Sequence, residues 1–329
     1  MAAVTDVGVV WDNHSCMPLR PDDEGFLPQL ERVRAAGVNA VTLNIAYGAQ
    51  SAFAAARMAK AFGRWVAARP EGYLLAKSAS DVETAKASGR LAICFDIEGM
   101  DALEGDIANI ERFYDLGVRW MLVAYNRPNL AGGGCLVEDE RGLTPFGRRA
   151  VAEMNRVGMA CCGTHCSYRT AREMIDASAD PVIFSHSNPR ALWDHPRNIP
   201  DDLIRACAAR GGVIGINGFG PFLGPNGASI ETYARHIEYV ADLVGDEFVG
   251  IGLDYVFDRQ ELDAAIAADP LTFPPEHYAS GARMLEPWCL PDIARVLLHR
   301  GFSQGSVSKM LGGNHLRVAR QVWKGSDGD

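Results

Sequence analysis

The chain has 329 residues, 48% of them hydrophobic, enough to bury a large core as one barrel or as two ordinary domains. Its net charge of −9 argues against nonspecific nucleic-acid binding, which rests on a basic surface that displaces counterions. Eight cysteines are too sparse for a disulfide scaffold, no apolar run approaches membrane-spanning length, and neither Met1–Asp6 nor the short polar tail after Trp323 carries a signal or lipid-anchor pattern, so the expectation is a reduced, cytoplasmic enzyme.

Taken in order, short apolar runs alternate with amphipathic segments. Val7–Trp11 reads as the first strand, and Phe26, Leu30 and Val33 then fall at helical spacing before Gly37. Val38–Ile45 is strand-like, and Ser51–Arg69 reads as a helix stopped by Pro70. Ser80-Asp81-Val82-Glu83 has the spacing of a capping box for a helix that Gly89 ends. Leu91–Ile97 is the next strand. Ile107, Ile110, Phe113 and Leu116 share a helical face closed by Gly117, and Val118–Ala124 follows as a strand. Gly132–Gly134 and the charges after them mark a loop. Thr144-Pro145 supplies an N-cap and a first-turn proline for a helix ending near Gly158. Met159–Gly163, Pro181–Phe184, Gly212–Ile216 and Phe248–Leu253 complete the strands, with helices over Tyr168–Ala177, Pro200–Arg210 and Ser229–Val244.

Eight strands, most followed by a helix, predict a (β/α)8 TIM barrel of the α/β class, although a doubly wound sheet would give a similar string. No repeat or linker interrupts the pattern, so residues 1–329 read as a single domain. Tyr255–Cys289 is a long connection placed to form a lid over the site.

Barrel active sites lie at the C-terminal ends of the strands. Those ends carry His14 and Cys16, Glu98, Tyr125, His165, His186 and Asp254. Imidazole, thiolate and carboxylate suit zinc and similar metals. Each residue also has a plainer reading. A strand-end histidine is more often a hydrogen-bonded structural residue, and His236, His277, His299 and His315 are assigned to that class. Glu98 and Asp254 also suit helix or loop caps. Cys161, Cys162 and Cys166 resemble a zinc cluster with His165, but Cys161 and Cys162 point to opposite sides of a strand, and no second cysteine pair closes such a site. Taken together, His14, Glu98, His165, His186 and Asp254 on five different strands are hard to explain as coincidence and point to a metal site.

Several blocks then resemble the membrane (renal) dipeptidase family, zinc-dependent peptidases of the M19 type. Asp12-Asn13-His14-Ser15-Cys16-Met17-Pro18 is similar to the family's opening motif and Asp96-Ile97-Glu98-Gly99 to its bridging-glutamate block. Gly142–Gly147 and Glu153–Met159 resemble the run before the first metal histidine. Phe184-Ser185-His186-Ser187-Asn188 with Arg197-Asn198-Ile199-Pro200-Asp201-Asp202 is the most specific block, and Gly250–Asp254 and Leu311–Arg317 match the closing motifs.

The resemblance implies two zinc ions per chain sharing Glu98, one held also by His14 and Cys16, the other by His165 and His186; the alternative is that Cys16 does not bind and only the second site fills. It further implies that Asp254 handles the proton of the nucleophilic water, that Glu98 belongs with it to the catalytic set, and that Arg197 binds the substrate carboxylate. The plainer reading of Arg197 is a surface arginine paired with Asp201 or Asp202. A small dipeptide-like substrate, with a D-residue tolerated at its C-terminal side, and a homodimer are implied as well, with neither a nucleic-acid nor a membrane partner expected. Two departures stand out: Cys16 replaces the family's second opening carboxylate, and Tyr125 replaces its substrate-binding histidine. They motivate an alternative substrate, an N-acyl or N-modified amino acid or another small C–N compound. A non-catalytic metabolite-binding member is a third reading.

Overall fold

The computed structural model describes residues 8–137, 141–225, 227–278 and 281–324. Val7 of the first expected strand, the start of the chain before it, the charges at 138–140 and the tail beyond Lys324 lie outside the described residues. The strands are β1 (Trp11–Cys16), β2 (Ala40–Tyr47), β3 (Tyr73–Leu75), β4 (Leu91–Glu98), β5 (Val118–Leu122), β6 (Ala160–Cys162), β7 (Ile183–Phe184), β8 (Val213–Ile216), β9 (Val249–Ile251) and β10 (Tyr255–Val256). They form one sheet in the order β10-β1-β2-β4-β5-β6-β7-β8-β9, with β3 paired to β4 alone. Each pairing is parallel.

The two ends of that order are consecutive in the chain, separated only by Gly252, Leu253 and Asp254. Across the seam the Asp254 N–H donates to the His14 carbonyl (3.0 Å) and the Leu253 N–H to Asp12 Oδ1 (2.8 Å). The sheet therefore closes on itself, β9 and β10 together serving as the eighth stave. This is the (β/α)8 barrel, and the closure removes the doubly wound alternative.

Helices over Ala52–Ala67, Pro145–Val157, Tyr168–Ala177, Asp201–Ala209 and Ile230–Val244 cover the outside. Serine or threonine hydroxyls open four of them: Ser51 accepts from the Ala54 N–H, Thr144 from Gly147, Ser167 from Thr170 and Ser229 from Thr232.

The period-2 alternation of β4 sets up the site. Phe95 points outward onto Phe62 of the first long helix (ring centroids 6.2 Å apart), whereas Ala92 and Cys94 pack inward with Trp11 and Ala40. The same inward parity carries Asp96 and Glu98 to the upper end. Apolar side chains, Trp11 and Trp120 among them, fill the floor of the barrel, and charged ones its mouth.

Four expectations need correction. The first strand is Trp11–Cys16 rather than Val7–Trp11. Its polar residues are buried because they hydrogen-bond inside the barrel, so an apolar run was the wrong sign to look for. β3 and β10, at three and two residues, are too short to show a period. β10 also means that Tyr255–Cys289 begins as sheet and only then becomes a connection. The capping box is formed by Ser78 and Asp81, two residues before the expected Ser80, because the shorter Asp81 side chain reaches back to the Ser78 N–H.

Backbone proximity at the seam makes a sharp test. A Cβ added to Gly252 would collide with the Ser185 carbonyl and approach His186 Cβ to 3.2 Å. Gly252→Ala is expected to lower the unfolding free energy by about 1–3 kcal/mol, read from urea denaturation. An unchanged midpoint would contradict this packing.

Candidate metal centre

All of the strand-end residues singled out in the sequence meet at one end of the barrel. His14 and Cys16 come from β1 and Glu98 from the last position of β4. Tyr125, His165 and His186 lie in the turns after β5, β6 and β7, and Asp254 lies in the seam. From Asp12 to Ser15 β1 advances three positions while β2 advances two, from Val41 to Leu43. This bulge turns His14 inward after Trp11 and Asn13, whose side chains bond Thr42 on the inner face of β2.

The three imidazoles share one design. Nδ1–H of His14 donates to Asp96 Oδ2 (3.0 Å), that of His165 to Asn126 Oδ1 (2.6 Å) and that of His186 to Ser185 Oγ (2.9 Å). With Nδ1 engaged outward, each Nε2 presents its lone pair to the centre. There Glu98 Oε1, buried and without a hydrogen-bond partner, lies 3.2 Å from His165 Nε2, 3.2 Å from His186 Nε2 and 3.6 Å from His14 Nε2. His165 Nε2 and His186 Nε2 are 3.1 Å apart, and two lone pairs repel at that distance unless a proton or a cation lies between them. Ligands on a tetrahedral zinc at ~2.1 Å sit about 3.4 Å from one another, close to these separations.

The second half of the centre is built around the other side of His14. Its Nε2 lies 3.5 Å from Cys16 Sγ and 3.5 Å from Asp254 Oδ1. His14, Cys16 and Asp254 form one group able to hold a metal ion, and His14, Glu98 and His186 another. The donor set of imidazole, thiol and carboxylate, together with the orphaned Glu98 oxygen, fits a divalent cation.

Electrostatics point the same way. Burial, with Asp96 and Asp254 nearby, raises the Glu98 carboxyl to about 8. Burial pushes the Cys16 thiol up to about 12 and holds His165 and His186 well below the usual imidazole range. Burial also opposes charge on His14, but Glu98 and Asp96 outweigh it and raise that imidazole well above its ordinary value. Bound cations invert this order by favouring carboxylate and thiolate over their protonated forms.

Backbone strain collects here too. Among the described residues, the non-glycine residues with left-handed φ are Glu104, Asn126 (φ 56°), His165 (φ 65°) and Asp254 (φ 58°). Three of the four belong to this centre or hold it, the strain being worth on the order of 1–3 kcal/mol each.

Arg197 is buried, its Nη2–H donates to His165 Nε2 (3.1 Å), and its Nε has no partner. Asp201 instead accepts from Tyr239 (2.8 Å) and Asp202 from Tyr168 (2.5 Å), which overturns the surface-pair reading of Arg197. Tyr125 stacks on His165 with centroids 4.1 Å apart. The cysteines beside His165 form no cluster: Cys162 faces Ser185, Cys161 faces Met154 and Cys166 faces the Ala124 carbonyl. His236 and His315 bond backbone carbonyls, as structural histidines do.

Sequence reasoning missed the supporting residues Asp96, Asn44, Asn126, Ser185 and Asn217. Asn44 Nδ2 donates to Asp96 Oδ1 (2.8 Å), and Asn217 Nδ2 to Asp254 Oδ2 (2.9 Å). Asp96 had a visible signal, since it stands two residues before Glu98 on the same strand face.

Fold and centre together define a (β/α)8 barrel with a candidate metal centre at its mouth. Residues 25–265 match the membrane dipeptidase family, peptidase family M19, and the chain belongs to it. Dipeptidase verJ of Clonostachys rogersoniana is 33% identical over 250 residues, 75% of this chain and 60% of that protein. Dipeptidase 3 of Rattus norvegicus is 30% identical over 240 residues, 71% of this chain and 45% of that protein. The match thus spans about half the length of these relatives. Among solved structures, an amidohydrolase from Pseudomonas aeruginosa superimposes with a TM-score of 0.85 at 29% identity, over 97% of this chain and 98% of that one. A metallopeptidase from Rhodobacter sphaeroides, liganded with a phosphinate mimic of the dipeptide L-Ala-D-Ala, shares the fold (TM-score 0.80, 20% identity, 97% and 100% coverage). Membership of a metallopeptidase family implies metal use. No helix is long and apolar enough to cross a membrane among the described residues.

The raised Glu98 carboxyl gives a signed pH dependence. Its stabilising contribution is present below the ordinary 4.5 and is lost as pH rises through about 8. The lowered His165 and His186 act in the opposite sense, losing stability as pH falls below 6.5. In chelator, Glu98→Gln is therefore expected to gain on the wild type as pH rises from 4.5 to about 8, by no more than ~1.4 kcal/mol per pH unit. Chemical denaturation at several pH values reads this, and a pH-independent difference would refute it.

Proposed function

We propose that the protein is a two-zinc dipeptidase. The observation that carries this reading is the unpartnered Glu98 oxygen ringed by three Nε2 lone pairs. Glu98 would be shared by the two metals, with His14 and Cys16 holding one and His165 and His186 the other. When bound, the cations would supply an activated water of lowered pKa and polarise the scissile carbonyl. Asp254, positioned by Asn217, accepts the proton of the attacking water and returns one to the leaving amine. Arg197 takes the terminal carboxylate, since its buried guanidinium has an unpartnered Nε and no carboxylate partner among the described residues. Tyr125, held against His165, stands where its hydroxyl can donate to the carbonyl oxygen as charge develops.

A single domain whose residues 257–278 cover the site belongs to this reading, supported by Asn126 Nδ2 donating to the Thr272 carbonyl and the Tyr278 hydroxyl (3.0 Å each). A reducing, cytoplasmic setting and a homodimer complete it. All eight cysteines are free, which supports the first. Cys16 and Tyr125 keep N-acyl and N-modified amino acids as the second substrate reading.

The deciding experiment is turnover of dipeptides, L-Ala-D-Ala among them, beside N-acyl amino acids. Dipeptide cleavage is expected to vanish with chelator and to return with zinc. N-acyl amino acids outrunning every dipeptide would transfer the assignment to them. Metal content should fall from two per chain to about one in Cys16→Ala, by elemental analysis of protein purified without chelator. One metal in both proteins would remove Cys16 from the ligand set. Arg197→Ala is expected to raise KM for carboxylate substrates by about 100-fold, the scale of a lost charge-assisted pair, and to affect their amides far less. Equal effects on both would refute its role.

A further inference from the structure

Two openings meet at His165. One, of about 790 Å³, has Cys16, Glu98 and Asp254 at its base. The other, of about 1050 Å³, is reached past Arg197. A dipeptide whose carboxylate is held by Arg197 has its scissile carbonyl three bonds further on, over Glu98 and His165. Its N-terminal residue must then continue away from Arg197, into the first opening.

The walls of that opening are largely apolar, with Leu19, Tyr47, Val256, Leu262, Ala265 and Phe273 among them. Among the described residues no lysine or arginine lines it, so an acidic side chain would find no counter-charge there. The carboxylates above its base are Asp258 and Glu261, and both are engaged. Asp258 Oδ2 accepts from Arg20 Nη2 (3.1 Å) while its Oδ1 caps the helix Arg259–Ala268, and Glu261 forms an ion pair with Arg20. A basic side chain would have to displace Arg20.

We infer that this opening is the side-chain pocket for the substrate's N-terminal residue and that it selects a large apolar group such as Phe, Leu or Met. The inference rests on the dipeptide reading of the site. It adds a direction, polar at the Arg197 end and apolar at the other, and a substrate class.

The test is kcat/KM of the zinc-loaded protein for Phe-Ala, Leu-Ala, Gly-Ala, Asp-Ala and Lys-Ala. The first two are expected to exceed the others by about 10- to 100-fold, the range that an apolar pocket discriminates. Ala265→Trp, which fills the pocket from a partly exposed helix position, is expected to lower the Phe-Ala to Gly-Ala ratio by about tenfold. Leu262→Asp, also partly exposed, is expected to raise Lys-Ala relative to Phe-Ala. Uniform turnover, or Asp-Ala or Lys-Ala leading, overturns the pocket and leaves the dipeptidase reading intact. Calorimetric binding of phosphinic analogues separates the remaining cases. Inert dipeptides with a Phe-Ala analogue bound more tightly than its Gly-Ala and Lys-Ala counterparts overturn the reaction and keep the pocket. Analogues that bind equally, or none that bind, overturn both.

Discussion

A carboxyl group buried inside a closed barrel is the constraint on which the rest of this structure depends. Glu98 is 4% exposed, its Oε1 accepts nothing, and Asp96 and Asp254 add negative charge beside it. Removing such a group from water costs several kcal/mol unless charge or hydrogen bonds offset it. The chain supplies lone pairs instead: three imidazoles aimed at the same oxygen. Lone pairs and a carboxylate stabilise one another only through a proton or a cation, so the arrangement suits a metal centre. Its neutral alternative, protonated Glu98, explains why burial raises that carboxyl to about 8.

The fold bears the cost of that centre at several points. A bulge in β1 breaks the strict alternation that would otherwise turn His14 away, and the register of β2 against β4 shifts in the same way between Asn44 and Tyr47. Left-handed backbone at His165, Asp254 and Asn126 places two candidate site residues and one orienting amide in conformations that L side chains rarely adopt. These local conflicts persist because a tightly closed barrel surrounds them. The Gly252 seam, where a methyl group has no room beside Ser185, shows how little slack that closure leaves.

Much of this was legible in the sequence, for a physical reason. Buried parallel strands appear as apolar runs, and the polar residues within one or two positions beyond each run fall at the barrel mouth. That logic found Glu98, His165, His186 and Asp254, and with them the fold. It failed at β1, where Asp12, Asn13, His14 and Ser15 are all buried yet polar, so the strand was sought one segment too early. It also passed over Asn44, Asn126 and Asn217, because an asparagine in a turn usually serves the backbone and only the folded chain shows which side chain it holds. The fate of Arg197 was equally out of reach: a following Asp201-Asp202 pair invites a surface reading, and only tertiary packing sends those carboxylates to tyrosines.

The separation of Arg197 from Glu98 follows from the same economy. A guanidinium and a carboxylate buried in one site would gain most by pairing directly, and a direct pair would neutralise both. Here a single His165 nitrogen, Nε2, meets both groups, lying 3.1 Å from Arg197 Nη2 and 3.2 Å from Glu98 Oε1. Tyr125 stacks on that ring at 4.1 Å and Asn126 fixes its Nδ1, so the ring cannot turn aside without losing both contacts. One imidazole nitrogen thus contacts the buried guanidinium and the buried carboxylate together. The left-handed backbone at His165 (φ 65°) is what brings that nitrogen to both.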